Sequence, residues 1–187
     1  MQKKKNLTLF GSMRVLTGTA MLTAGSVIIG IFCKNFLNFG GGLFRITFEN
    51  LPILLTGLCF GPVAGGLCGA ATDVISYFLS GQVYPINPVV TLGAALIGVI
   101  NGLLSHTLLR RPGRGRIIIS CAAAHLIGSV AVKSVGLFAF YGWAVLWRLP
   151  LYGGIATLEI LLLCLLYKSA ALRRMIDAHG GEPHDLP

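Results

Sequence analysis

Acidic residues are scarce in this 187-residue chain: six Asp and Glu stand against fifteen Lys and Arg, and charged residues of both signs make up only 11%. An ordinary soluble domain carries roughly 25% charged residues, so the shortage excludes a surface covered by ionised groups. The signatures of common catalytic centres are also missing. There is no Walker A loop, no His-Glu-x-x-His zinc pair and no Ser-His-Asp arrangement, so neither ATP hydrolysis nor zinc chemistry is expected of the chain itself. The five cysteines, at 33, 59, 68, 121 and 164, have no CxxC spacing and no nearby His group. They read as small packing residues, and no metal, disulfide or cofactor is expected. Hydrophilic loops between the apolar stretches are only a few residues long, which excludes a long soluble domain.

What is abundant is apolar sequence, at 55% hydrophobic residues. Uncharged stretches run over 15–33, 50–72 and 74–109, and beyond Arg116 the apolar sequence is interrupted by Lys133, Arg148 and Glu159. A bilayer-spanning helix needs about 20 apolar residues, so several spans fit. The sequence predicts an all-α integral membrane protein, a six-helix transmembrane bundle with spans over 15–33, 46–60, 63–79, 88–109, 117–141 and 149–167. A basic N-terminus, 1–14, precedes the membrane domain, 15–170, and a polar tail, 171–187, follows it. The opening Met-Gln-Lys-Lys-Lys reads as retained rather than as a cleaved leader: the apolar run is too long, and Ala20, Thr23 and Ala24 come too early to end it.

The count of six rests on Gly61 and Pro62, which either turn the chain or kink one long helix. With a turn there, three basic clusters fall on one side: Lys3, Lys4, Lys5 and Arg14; Arg110, Arg111, Arg114 and Arg116; Lys168, Arg173 and Arg174. Eleven of the fifteen cations then lie in the cytoplasm with both termini, as the excess of Lys and Arg in cytoplasmic loops demands. Five spans would oppose that rule. The net charge of +9 therefore reads as a topology signal and not as a nucleic-acid surface. Residues 179–187, with two histidines, read as a disordered end rather than a metal site.

The remaining ions belong to the membrane region or its outer edge: Lys34, Arg45, Lys133 and Arg148, with Glu49, Asp73 and Glu159. At 1.5 Å per residue, Glu49 lies about one turn below the outer surface, Asp73 and Lys133 roughly two turns, and Glu159 ~15 Å or deeper. A charge in the bilayer costs roughly 2.5–3.5 kcal/mol even on the lenient insertion scale, so such residues pair or line a cavity. Two readings stay open for Asp73 and Lys133: a ligand site, or mutual neutralisation between helices. Aromatic residues gather on the same outer side, among them Phe48, Tyr77, Tyr84, Tyr141 and Trp143. With the ions they would suit a flat aromatic solute bearing negative groups, held by stacking and charge-assisted hydrogen bonds. Small residues form two further patterns, an Ala20-x-x-x-Ala24 pair in the first span and Gly61, Gly65 and Gly69 at four-residue intervals. Such faces permit close helix approach, and internal packing is the plain explanation for them.

Several short motifs occur in order: Arg45-Ile46-Thr47-Phe48, Leu51-Pro52, Gly61-Pro62-Val63-Ala64-Gly65, Ala71-Thr72-Asp73, Tyr77, Tyr84-Pro85 and Thr91-Leu92. In these the chain resembles the folate-family substrate-binding (S) components of energy-coupling factor (ECF) transporters, over most of 14–167 and most strongly over 45–102. The resemblance implies a six-helix bundle in a bacterial cytoplasmic membrane that captures a vitamin from outside. Its partners would be a membrane coupling subunit and two cytoplasmic ATPases, with Ala20 and Ala24 resembling the coupling-subunit contact. The last third departs from the family pattern. Lys133-Ser134, then Gly136, precede Tyr141-Gly142 where the family has Asn-Thr and a Trp before an aromatic-Gly pair. Arg148-Leu149 matches, while Glu159 stands near an expected Gln.

For a folate-like ligand, the pterin edge would face Asp73 or Glu49, and the glutamyl carboxylates would suit Arg45, Lys133 or Arg148. Phe48, Tyr84 and Trp143 would supply stacking surfaces, and the loops at 40–42 and 84–85 would close over the ligand. Two alternatives remain at this stage: an S component for another small vitamin or precursor, and an intramembrane enzyme or structural membrane protein that uses the outward Asp, Glu and Lys for acid–base chemistry or packing.

Overall fold

The computed structural model describes residues 13–39, 44–81, 86–109 and 113–178. Lys3, Lys4, Lys5, the glycines at 40–42, Tyr84, Pro85, Arg110, Arg111 and the end of the tail from 179 lie outside the described residues. Helix α1, Met13–Phe36, leads into a short antiparallel pair, β1 Asn38–Phe39 with β2 Phe44–Arg45. The pair is a small departure from the all-α expectation. It also moves the start of the second helix: Ile46 N–H is taken by Leu37 O at 3.1 Å, so α2 runs Asn50–Phe60 and not from 46.

Gly61 ends α2 with φ +91°, a backbone conformation that glycine adopts without cost. Pro62 then opens α3, Pro62–Leu79, at the first helical position, where a missing N–H loses nothing. The chain folds back on itself there, because Thr56 Oγ1 in α2 lies 3.6 Å from Cys68 Sγ in α3. Helix α4, Pro88–Leu103, is capped by Asn87, whose Oδ1 accepts from Val89 N–H at 3.0 Å, and widens into a π-type turn, Leu104–Leu108. Helix α5, Arg114–Ala124, continues through π-type turns, His125–Lys133, into α6, Ser134–Tyr141. Gly142, at φ +54°, starts the 3-10 segment Gly142–Trp147 before α7, Arg148–Leu166.

Among the described residues, five helical stretches, 13–36, 62–79, 88–108, 114–139 and 142–166, are long and apolar enough to cross a membrane, and α2 is a shorter apolar helix of 11 residues. Around them runs an outward belt of exposed large apolar side chains, including Met21, Ile28, Phe32, Phe78, Leu126 and Leu161. A soluble helix turns its polar face outward; here the apolar face is outward, as lipid requires. A last helix, α8, Ala170–Ala178, occupies the start of the predicted polar tail. Its Ile176 is buried and packs with Leu172 against the core around Leu58 and Ile117, because four-residue spacing puts both on one face.

Glycines set the helix spacing. A Cβ on Gly65 of α3 would lie 2.6 Å from Gly98 O of α4 and 2.9 Å from Gly57 Cα of α2, while one on Gly69 would overlap Ala94 O. Gly65 and Gly69 thus serve internal packing, and Gly61 belongs to the turn instead of the stripe. Replacing Gly98 by Ala should push α3 and α4 apart and cost about 1–3 kcal/mol of overpacking, read as a lower unfolding temperature in detergent. Gly153 has open space around its Cβ position, so Gly153→Ala should leave that temperature unchanged or slightly higher.

Candidate functional site

Five of the seven charged residues of the membrane region converge on one cavity between α1, β2, α3, the start of α4, the π-type segment and the start of α7. It encloses about 860 Å³, open mouth included, and Lys34, Arg45, Asp73, Lys133 and Arg148 line it.

Each ion is held by a separate element. Lys34, in the last turn of α1, reaches across to α3: its Nζ lies 3.8 Å from Asp73 Oδ1 and donates to Ser76 Oγ. Asp73 also accepts from Thr91 Oγ1 of α4 at 2.7 Å. Glu49, at the start of α2, pairs with Arg45 at 3.4 Å, and Ser26 Oγ of α1 donates to Glu49 O at 2.6 Å. A Cβ on Gly30 would come within 2.7 Å of Glu49 Oε2, so a glycine there admits the carboxylate. Lys133 Nζ donates to Asn50 Oδ1 at 3.3 Å, and the Arg148 guanidinium sits 5.4 Å from the centre of the Tyr152 ring.

Mutual neutralisation of Asp73 and Lys133 is not what the structure contains. Asp73 meets Lys34 and Thr91, and Lys133 meets Asn50. At formal ionisation, Lys34, Arg45, Lys133 and Arg148 oppose Asp73 and Glu49, leaving a surplus of two positive charges in a region where five of the six residues are under 8% exposed. Uncompensated buried charge is costly, so the cluster favours an anionic guest.

Of the residues expected from the sequence, Arg45, Asp73, Lys133 and Arg148 line the cavity, with Glu49 joined to it through Arg45. Phe48 is half-buried beside Glu49 and outside the lining. Trp143 is 76% exposed and packs edge-on to Phe138 at 5.6 Å, because the turn at Gly142 sends it outward; it does not line the cavity. Tyr84 lies outside the described residues. Ala20 and Ala24 are exposed on α1, about 15–21 Å along the helix from Lys34. The cavity also contains side chains not singled out from the sequence, notably Asn50, Asn87, Ser129 and Tyr152. Polar side chains inside apolar runs were the available signal for Asn50 and Ser129. Their orientation needs the fold.

Residues 14–176 match the family described as ECF transporter, substrate-specific component. Folate transporter FolT of Clostridium novyi is 25% identical over 121 residues, 64% of this chain and 67% of its own length. A Mycoplasma pneumoniae protein, the MG098 homolog, is 30% identical over 104 residues, 56% of this chain, and the match spans about a fifth (21%) of that longer relative. A crystal structure of FolT bound with folic acid superposes with a TM-score of 0.67 at 20% identity, covering 83% of this chain and 93% of that one. The likeness in structure is one of fold.

The ion pair between α1 and α3 gives a stability test without ligand. Lys34→Met leaves the Asp73 carboxylate buried and should cost about 3–5 kcal/mol, as breaking a buried pair does, while adding Asp73→Asn should recover much of the loss. Thermal unfolding in detergent reads both; equal losses for the single and double variants would count against the pairing.

Proposed function

We propose, from the premise that the chain belongs to the family of ECF transporter substrate-specific components, that it is the membrane-embedded subunit capturing folate or a related pterin for an ATP-driven importer. The observation that carries this reading is the cavity itself, with four cations against one lining carboxylate. Arg45, Lys133 and Arg148 are suited to the carboxylates of the ligand, since charge-assisted bonds to guanidinium and ammonium groups are the strong ones. Asp73 and Glu49 are suited to donor groups on a pterin edge. Tyr77, Tyr141 and Tyr152 line the same space and offer ring faces, and Tyr84 is proposed as a further stacking residue.

In this reading the chain crosses a bacterial cytoplasmic membrane six times with both termini inside, α2 serving as the short second pass. The cavity then opens outward, opposite the basic clusters. The unit 15–170 binds substrate, between the basic segment 1–14 and the cytoplasmic tail 171–187. Transport would draw, as the family resemblance implies, on a membrane coupling subunit and two cytoplasmic ATPases. The exposed Ala20 and Ala24 face is the proposed contact with the coupling subunit. A different small anionic vitamin is the second reading, favoured by Lys133 and Glu159 where the family resemblance would place Asn and Gln.

Mass spectrometry of the small molecule retained on gently purified protein separates these readings, with calorimetric titration of folic acid beside it. A retained pterin supports the first; a retained molecule without a pterin ring, and no folic acid binding, sinks it. Lys133→Ala, Arg148→Ala and Asp73→Asn should each weaken folic acid binding by roughly 10- to 100-fold, the scale of one hydrogen bond to a charged group. Ala20→Leu with Ala24→Leu should leave that binding intact and abolish co-purification with the coupling subunit. Lost binding instead would assign those alanines to internal packing.

A further inference from the structure

One buried pair of ionisable groups is left over from the ion network. Glu159, in the middle of α7, is fully buried, and His125, on the π-type segment, is 3% exposed. His125 Nε2 lies 2.8 Å from Glu159 Oε2, a hydrogen-bond separation with the ring tilted off a straight bond, and Glu159 Oε1 has no partner among the described residues. On the other side of the ring, Nδ1 lies 3.3 Å from Ser129 Oγ. Ser129 lines the cavity, so the row Glu159–His125–Ser129 runs from the bundle interior to the cavity wall. Lys133 follows one turn beyond Ser129 on the same segment. Cys121, one turn before His125, is turned to Asn101, its Sγ 3.5 Å from Asn101 Oδ1.

Burial constrains where the protons of the pair reside. A lone carboxylate in the membrane interior is costly, whereas a pair with no net charge is tolerated. Of the neutral arrangements of the pair, the carboxylic acid protonated on Oε1 beside an Nε2–H ring strands its hydrogen, because Oε1 has no partner among the described residues; two others strand none. In one, the carboxylate is ionised and the imidazole is doubly protonated, so Nε2–H donates to Glu159 and Nδ1–H donates to Ser129. In the other, the carboxylic acid donates to a bare Nε2, and the single ring hydrogen is on Nδ1, again facing Ser129. The two differ in whether the groups are ionised and agree about Nδ1. Cavity cations such as Lys133 favour a third state, an ionised Glu159 beside a neutral ring with a bare Nδ1, but the carboxylate in contact with the ring opposes that loss of a proton.

With Nδ1–H pointed at it, Ser129 Oγ is an acceptor on the ring side, and its own hydrogen must go elsewhere. A helical serine ordinarily donates to the carbonyl one turn back; Ser129 makes no such bond among the described residues. We infer that Ser129 is a dedicated hydrogen-bond donor to the bound ligand, its hydroxyl hydrogen turned into the cavity by His125 and Glu159, so that it selects an acceptor there, a carbonyl or carboxylate oxygen. Glu159 and His125 are positioning residues, since neither lines the cavity. The inference deepens the substrate-capture reading and rests on it for the identity of the ligand.

The experiment has a part that needs no ligand. Nitrogen-15 NMR of histidine-labelled protein in detergent, with the His125 signals assigned by their loss in His125→Gln, should show a hydrogen on Nδ1. In parallel, calorimetric titration with folic acid should give about tenfold weaker binding for Ser129→Ala, the ratio expected of one hydrogen bond, and near wild-type binding for Ser129→Thr, which keeps the donor. A bare Nδ1 in the wild-type protein overturns the inference, as does wild-type affinity in Ser129→Ala. If the wild-type chain binds no folic acid while Nδ1 carries its hydrogen, the folate reading falls and the orientation of Ser129 stands.

Discussion

The close approach of α4 to its neighbours through glycine is the constraint on which the other features depend. Gly65 lies against Gly98, and Gly69 against Ala94. One turn further along α3 the same antiparallel register delivers Asp73 to Thr91 at 2.7 Å. On another side of α4, a Cβ on Gly93 would meet Gly128 O at 2.9 Å, and one on Gly128 would meet Gly93 O at the same distance. That second contact fixes the π-type segment, and with it Ser129 and Lys133. Because lipid offers helices no hydrophobic reason to associate, backbone-to-backbone packing of this kind carries the association. The same packing that holds the bundle together therefore positions both walls of the cavity.

Once the helices are this close, the ions follow from satisfaction rules. Lys34 and Asp73 join α1 to α3, Arg45 and Glu49 secure the segment before α2, and Lys133 reaches Asn50. These bonds gather the polar atoms toward one end of the bundle, while the outward belt stays apolar. A surplus of cations kept out of water is tolerable where an anion completes it, and in that sense the cavity is built incomplete. Orienting so many groups before the ligand arrives lowers what association must spend on ordering them.

Much of this was legible in the sequence, for physical reasons that can be stated. Gly61 and Pro62 are the two residues best suited to reverse a chain between helices, and the reversal is there, at φ +91°. Charges inside apolar runs have few tolerable places, which is why Arg45, Asp73, Lys133 and Arg148 share a cavity. Partner choice was not legible, since it depends on helix rotation and register: Asp73 meets Lys34 rather than Lys133. Trp143 was assigned by its neighbourhood in sequence, and a single positive-φ glycine reverses its direction. The amphipathic α8 was hidden because its buried Ile176 and partly buried Leu172 sit among charges that make the segment look like tail.

Glu159 shows where composition stops and geometry takes over. Read along the chain it is one more acidic residue in a span, and a neutral amide in its place would fit lipid better. Its partner is 34 positions away, on a segment where His125 is flanked by alanine and leucine and gives no sign of being anything but a core histidine. Only when α7 and the π-type turns lie side by side do the two titratable groups come within 2.8 Å of each other, with Ser129 on the far side of the ring. An amide at 159 could orient the imidazole either way, since it both donates and accepts. A neutral carboxyl group also donates and accepts, but with no partner for Oε1 among the described residues its hydrogen is best shared with the histidine, and that leaves the ring hydrogen on Nδ1, toward Ser129 and the cavity.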